Sequence, residues 1–220
     1  MNKLLILIAV FLLTIQFSNA QTEKGNQTLG FNFGFNTGKA TEIPGPQSAS
    51  LGSTFVEKNN YFSLGPNYSY FIANNLDLSV ALDFMSNKET NSDNNFGYPL
   101  KYTNYQFDAM LYARKYFLYK NKFGIRTGPY IGYGKSTTKY TYTPSDNNNN
   151  NSHNIYAGFK LDMVYYASKK LGFSATLANL QYQRYTSKSG YLGQDGNGIS
   201  LYTGTSALQV SMFYTFGGKG

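Results

Sequence analysis

Large apolar side chains recur at every second position in eight segments of the chain. In the stretch "LDLSVALDF", residues 76–84, leucine, valine and phenylalanine alternate with aspartate, serine and alanine. A period of two is typical of a β-strand with one face that rejects water. The same period predicts strands near residues 27–37, 60–72, 76–86, 102–117, 123–135, 154–167, 171–183 and 205–216. The pattern therefore predicts an all-β protein of eight antiparallel strands.

The connections between these segments alternate between short and long. Short turns are predicted at residues 73–75, 118–122 and 168–170, and long loops at residues 38–59, 87–101, 136–153 and 184–204. In an antiparallel arrangement this alternation puts every long loop at the same end. The layout is that of a transmembrane up-and-down β-barrel, with short periplasmic turns and long extracellular loops. The polar run "SDNNNNNSHN", residues 145–154, is predicted to be a mobile loop tip.

Glycines indicate which face of the strands lies inside. Nine glycines occupy the positions between the large apolar residues, namely Gly30, Gly34, Gly65, Gly124, Gly128, Gly132, Gly134, Gly158 and Gly172. Glycine weakens a strand and gains nothing on a solvated face, whereas the narrow lumen of an eight-stranded barrel needs small residues. We expect the glycine face inside, with room for inward tyrosines such as Tyr130 and Tyr156, and the apolar face against lipid. The alternative is a soluble exported barrel whose apolar face encloses an apolar ligand.

Seven charged residues lie on the same face as the glycines. They are Asp77, Asp83, Asp108, Arg114, Arg126, Lys160 and Asp162. Unpaired charges inside a narrow barrel are costly, so four acids against three bases predict an internal network of ion pairs that plugs the lumen. Counting from the short turns puts Arg114 and Arg126 at one depth, flanked by Asp77 and Asp162. The other three residues form a second level nearer the long loops.

Residues 1–20 have the pattern of a secretory signal peptide. Lys3 precedes an unbroken apolar run at residues 4–13, and small residues lead up to Ala20. We predict cleavage between Ala20 and Gln21, which leaves residues 21–220 as one barrel domain. Even when extended to residue 17, the apolar run is shorter than the roughly 20 residues that a membrane-spanning helix needs.

The chain carries a formal charge of +8 and no cysteine. An exported protein seldom meets nucleic acid, so we predict no nucleic-acid partner. Several lysines lie near predicted strand ends, namely Lys101, Lys120, Lys122, Lys169 and Lys170. Anionic membrane headgroups are the expected counter-charge there.

Candidate chemistry is sparse. The single histidine, His153, follows five asparagines, where no rigid scaffold would aim it at the neighbouring Ser152. One histidine and no cysteine leave only carboxylates as metal ligands. The glycines of "GPYIGYG", residues 128–134, belong to a strand, whereas a phosphate-binding loop precedes a helix. We predict no catalytic residue, no metal and no cofactor.

The chain resembles the small eight-stranded outer-membrane β-barrel proteins of Gram-negative bacteria, the class of the OmpA transmembrane domain and OmpX. The resemblance is carried by the signal peptide, the loop asymmetry and the stretches "LGFNFGFNTG", "LYARKYF" and "LQVSMFYTF". One departure is the "GGKG" that follows Phe216, because the last strand of such barrels commonly ends the chain.

This resemblance implies a non-enzymatic envelope protein of the outer membrane. It implies that the partners are outer-membrane lipids, lipopolysaccharide and the barrel assembly machinery. The leading interpretation of its function is a structural or surface-interaction role. A narrow porin-like channel is the alternative, and a lipid-modifying enzyme is the third possibility.

Overall fold

The computed structural model describes residues 21–42, 55–93, 100–141, 148–189, 192–203 and 209–217. The predicted signal peptide, including Ala20, lies outside the described residues. Within these ranges, no helix has the length and apolar character needed to cross a membrane.

The described residues form antiparallel strands and short turns. The strands are β1 (Gln27–Glu42), β2 (Phe55–Ala73), β3 (Leu76–Asp93), β4 (Leu100–Tyr119), β5 (Phe123–Thr141), β6 (Asn148–Tyr166), β7 (Leu171–Ser189), β8 (Leu192–Thr203) and β9 (Gln209–Phe216). Consecutive strands pair from β1 to β7, and β9 pairs with both β7 and β1. The sheet therefore closes into a ring.

Strands β8 and β9 share one position in this ring. Both run antiparallel to β7, with Thr203 of β8 opposite Ala178 and Val210 of β9 opposite Ala175. The ring thus has eight strand positions, and the predicted fold class is confirmed. Residues 192–203 were predicted to lie in a long loop, and this was wrong because the upper half of β7 offers them a free edge for pairing.

The strands extend further toward the long-connection end than the alternation predicted. Residues 148–154 of the asparagine run belong to β6 and pair with β5, and residues 150–154 also pair with β7. The prediction of a mobile loop was wrong for these residues, because a strand needs only backbone partners and can carry polar side chains where lipid is absent. The remaining parts of the predicted long loops, residues 43–54, 94–99, 142–147, 190–191 and 204, lie outside the described residues.

The apolar face of the strands points outward. Side chains on this face are widely exposed, with Leu78 at 48 %, Phe107 at 50 % and Phe159 at 57 %. An exterior of this kind is suited to hydrocarbon. It contradicts the alternative of a soluble barrel, in which the same side chains would line the inside.

A β-bulge in β7 changes which residues face outward. Asp162 of β6 pairs with Thr176 and Leu161 pairs with Ala178, so that Leu177 has no opposite residue. Above the bulge the odd-numbered residues turn inward, and Leu180 joins the exterior at 47 % exposure. Simple alternation cannot show this shift, because it assumes that a strand keeps one parity throughout.

Glycines make room for aromatic rings inside the barrel, as predicted. A Cβ at Gly132 would collide with the ring of Tyr156, and a Cβ at Gly158 would collide with the backbone of Leu180 and the ring of Tyr130. Both rings are buried, at 6 % exposure each. The inward glycines therefore determine where the tyrosines lie.

Gly158→Ala is expected to destabilise the barrel by about 1–3 kcal/mol, because overpacking forces the neighbouring backbone or ring to move. Gly198→Ala on β8 is the matched control, since a Cβ there meets nothing within 4 Å. The free energy of unfolding in detergent, from urea titrations followed by circular dichroism, compares the two. Equal stability of the two variants would contradict the packing described above.

Candidate functional site

Arg114 and Asp77 form a buried, bidentate ion pair across β3 and β4. The two residues lie directly opposite each other. Arg114 donates from Nε to Oδ1 at 3.0 Å and from Nη2 to Oδ2 at 2.7 Å. Its Nη2 also donates to Oγ of Ser69 at 2.8 Å. Such two-pronged bonds fix the guanidinium in orientation as well as in position.

Arg126 and Asp162 form a second pair across β5 and β6. Arg126 Nε donates to Asp162 Oδ2 at 2.8 Å, and its Nη2 donates to Ser174 Oγ at 2.8 Å. The other carboxylate oxygen, Oδ1, accepts from Thr176 Oγ1 at 3.1 Å. Each arginine thus bonds to an aspartate on one neighbouring strand and to a serine farther around the ring.

Tyr116 joins the two pairs into one layer across the lumen. Its hydroxyl donates to Asp77 Oδ2 at 2.9 Å and accepts from Arg126 Nη1 at 3.3 Å. The Arg126 guanidinium also lies 5.7 Å from the centroid of the Phe213 ring. We call Asp77, Arg114, Tyr116, Arg126 and Asp162 the ion-pair layer.

An apolar cluster lies beneath this layer, toward the short turns. It consists of Phe71, Tyr116, Val164, Tyr166 and Phe213, with Leu118 packed against it. The Tyr166 and Phe213 rings meet edge to face with centroids 5.4 Å apart. We call this set the apolar floor. Sequence reasoning missed it because it assigned large apolar residues to the exterior. The signal was present in Phe71 and Val164, which break the outward parity close to short turns.

The N-terminal residues of the described chain bind across the short-turn end. The backbone N–H of Gly25 donates to the carbonyl of Phe71 at 2.8 Å. The N–H of Asn75 donates to the carbonyl of Thr22 at 2.7 Å, and Gln21 Nε2 donates to the carbonyl of Ser168 at 2.7 Å. Residues 21–26 therefore link two different turns beneath the apolar floor.

The second predicted level is arranged differently from the first. Lys160 Nζ donates to Gln209 Oε1 at 2.9 Å and lies 3.9 Å from Asp162 Oδ1, so it contacts the ion-pair layer from above. Asp83 accepts from Asn32 Nδ2 at 3.2 Å. Across β3 and β4 it lies opposite Asp108.

Asp108 accepts two bonds from Gln106 Nε2, at 3.0 and 2.9 Å. Among the described residues, neither Asp83 nor Asp108 has a cation within ion-pair distance. The structure therefore brings five of the seven predicted charges together and holds the other two with amide donors.

A cavity of about 620 Å³ lies on the long-connection side of the ion-pair layer. Its walls include the rings of Tyr112, Tyr130 and Tyr156, whose successive centroids are 5.4 and 6.1 Å apart. Lys160 and Asp83 also line it. We call this cavity in the upper barrel the polar cup; the ion-pair layer and the apolar floor lie beneath it.

His153 and Ser152 lie on strand β6. His153 is exposed on the outer face, where its Nδ1 lies 2.8 Å from the hydroxyl of Tyr133. Ser152 has the opposite parity, and its Oγ lies 2.5 Å from Ser136 Oγ. The two side chains point to opposite faces of the sheet. In the described ranges, no group of three His, Cys or carboxylate side chains is placed to hold a metal ion.

No protein-family model and no curated protein matches the chain. Solved structures that resemble it do so at low identity and with TM-scores below 0.5. The attachment invasion locus protein Ail of Yersinia pestis is 9 % identical, with 88 % of this chain and 99 % of Ail covered and a TM-score of 0.48. The outer membrane protein OprG of Pseudomonas aeruginosa is 13 % identical, with 91 % and 100 % covered and a TM-score of 0.43. A major outer membrane protein of Thermus thermophilus is 10 % identical, with 86 % and 99 % covered and a TM-score of 0.45.

The predicted outer-membrane setting is confirmed by the protein's own geometry. A closed antiparallel ring satisfies its backbone polar groups internally, as hydrocarbon requires. With an apolar exterior and a polar interior it has the form of barrel that spans outer membranes. Its architecture is that of the small outer-membrane barrels that the sequence resembles.

Removal of one partner from a buried pair is expected to cost more than removal of both. Arg114→Met should lower the free energy of unfolding by about 3–5 kcal/mol, because Asp77 is then buried without its counter-charge. The double variant Asp77→Leu/Arg114→Met should be more stable than Arg114→Met, because it leaves neither charge alone. Urea titrations followed by the gel mobility of folded and unfolded forms measure each value.

The matched control is Lys115→Met, the exposed neighbour of Arg114 on the same strand, which should change stability by less than about 0.5 kcal/mol. If Arg114→Met were no more harmful than Lys115→Met, the ion-pair layer would not be a stabilising element.

Proposed function

We propose that the protein is a small integral outer-membrane barrel with a structural or surface-interaction role, whose lumen is closed to solutes. The observation that carries this proposal is the ion-pair layer stacked directly on the apolar floor. Asp77 and Val164 in these layers are completely buried, at 0 % exposure. A solute would have to break two ion pairs and then displace packed aromatic rings.

The narrow channel remains the alternative because of the polar cup. Its volume of about 620 Å³ is large enough to admit small solutes from the long-connection side. Passage would then require the ion-pair layer to open, and the bidentate bonds of Arg114 oppose that movement.

We propose that the protein is not an enzyme and has no nucleic-acid partner. Ser152 and His153 face opposite sides of β6, so the pair that the sequence offers for nucleophilic chemistry cannot act together. Lipids, lipopolysaccharide and the barrel assembly machinery remain the proposed partners. Phe216 supports the last of these, since it ends β9 on the outer face at 38 % exposure.

Conductance in planar lipid bilayers tests the closed lumen. The wild-type protein should be electrically silent. The variant Phe71→Ala/Tyr116→Ala/Arg126→Ala/Phe213→Ala should conduct, because it truncates three of the five side chains of the apolar floor and removes Tyr116 and Arg126 from the ion-pair layer. Heat-dependent gel migration shows whether each variant is folded before the recording.

The matched control is Tyr130→Ala/Tyr156→Ala, which enlarges the cup and leaves the layers beneath it intact. It should be as silent as the wild type. Steady currents through the wild-type protein would contradict the proposal and favour the narrow channel.

A further inference from the structure

A ring of cations surrounds the barrel at its long-connection end. Seven basic residues share the outward parity of their strands there and are exposed, namely Lys39, Lys58, Lys88, Lys101, Lys135, Lys139 and Arg184. We call them the basic collar. Among the described outward-facing residues of this end, Asp195 is the one carboxylate. The outer surface here is therefore strongly positive.

The basic collar is not neutralised by the described part of the protein. The ion pairs in the described ranges all lie inside the barrel and involve Arg114, Arg126 and Lys160. The carboxylates nearest in sequence, Glu57 and Glu89, have the inward parity of their strands. The described residues therefore supply no ion-pair partner for the collar.

Two lysines of the collar, Lys39 and Lys101, lie at the height expected for lipid headgroups. On the outer face, Lys39 follows the apolar residue Phe35 by four positions, and Lys101 precedes Tyr105 by four positions. Four residues of a strand span about 13 Å, or roughly 9 Å along the membrane normal at a tilt of about 45°. Long lysine stems can follow the apolar surface and put their charge at the hydrocarbon boundary.

Two lysines of the collar share a cleft. Lys39 and Lys58 lie directly opposite each other on β1 and β2. Like charges in this arrangement repel each other and destabilise the strand pair. With Thr37, Gly38 and Asn60 they line a cavity of about 320 Å³ on the barrel surface. An anion in this cleft would remove the repulsion and accept hydrogen bonds from both ammonium groups.

We propose that the basic collar binds the phosphate groups of an anionic lipid in the outer leaflet, with one phosphate held between Lys39 and Lys58. The inference rests on the proposed function, since the long-connection end must meet that leaflet. The outward apolar side chains, such as Leu78, Phe107 and Phe159, form an apolar belt around the barrel. A phosphorylated lipopolysaccharide has the required chemistry, because its acyl chains would cover this apolar belt while its phosphates reach the collar. The continuity of belt and collar favours a lipid over a soluble anion, which would use the collar alone.

Thermal unfolding in detergent, followed by heat-dependent gel migration, tests the binding. Titration with purified lipopolysaccharide should raise the unfolding temperature of the wild-type protein. In Lys39→Gln/Lys58→Gln, the apparent affinity should fall by about 30-fold, the amount expected for two surface lysines. Lys39→Arg/Lys58→Arg should restore it, since the charges return.

The matched control is Lys120→Gln/Lys169→Gln, which removes two exposed lysines from the short-turn end and should bind like the wild type. Dephosphorylated lipopolysaccharide and inorganic phosphate are the comparison ligands, and neither should give the wild-type shift. Equal binding by the collar variant and the wild type, or an equal shift with either comparison ligand, would overturn the inference. Bilayer conductance does not depend on lipid binding by the collar. A negative result in the binding experiment is therefore distinguishable from failure of the closed-lumen proposal.

Discussion

The need to satisfy every backbone polar group without water is the constraint on which this structure depends. In hydrocarbon an unpaired N–H or C=O costs several kcal/mol, so a sheet can cross only if it has no open edge. Pairing of β1 with β9, from Gln27 opposite Phe216 to Gly34 opposite Gln209, removes that edge. Once the ring is closed, side chains along each strand face lipid and a narrow lumen in alternation. The sequence must therefore supply apolar residues for the outer face and small or paired polar residues for the inner face.

The narrow lumen then determines the chemistry inside. Charges that face inward have little water to solvate them, and pairing is the way to keep them ionised. Asp77 and Asp162 are held by arginines, serines and Tyr116, and the rings beneath them fill the remaining space. In the proposed function, closure of the lumen therefore comes from the strands themselves. On that proposal the packing that stabilises the barrel also blocks it, so a channel could be made only at a cost in stability.

Much of this architecture could be predicted from the sequence, because the period of two and the placement of glycines report directly on the two faces of a strand. Short turns also fix the register well enough to put Asp77 near Arg114. The bulge at Leu177 could not be predicted, because it departs from strict alternation, and the apolar floor was missed although Phe71 and Val164 signalled it. The pairing of Lys160 with Gln209 depends on side-chain reach across the lumen, which strand spacing does not specify. Residues 148–154 could not be recognised as a strand from the sequence, because a strand beyond the membrane can be polar on both faces and then has no apolar period of two.

The two ends of the barrel differ in their charge and polarity. At the short-turn end lie the neutral groups of the apolar floor, with Gln21 Nε2 donating to the carbonyl of Ser168 and the carbonyl of Thr22 accepting from Asn75. At the other end, the polar cup lies inside and the basic collar lies outside. In the proposed binding of lipid phosphates, the basic collar uses the negative charge of the surrounding leaflet to hold the lipid. Surface anchoring and a closed lumen are thus compatible, since one uses the outer face of the strands and the other the inner face.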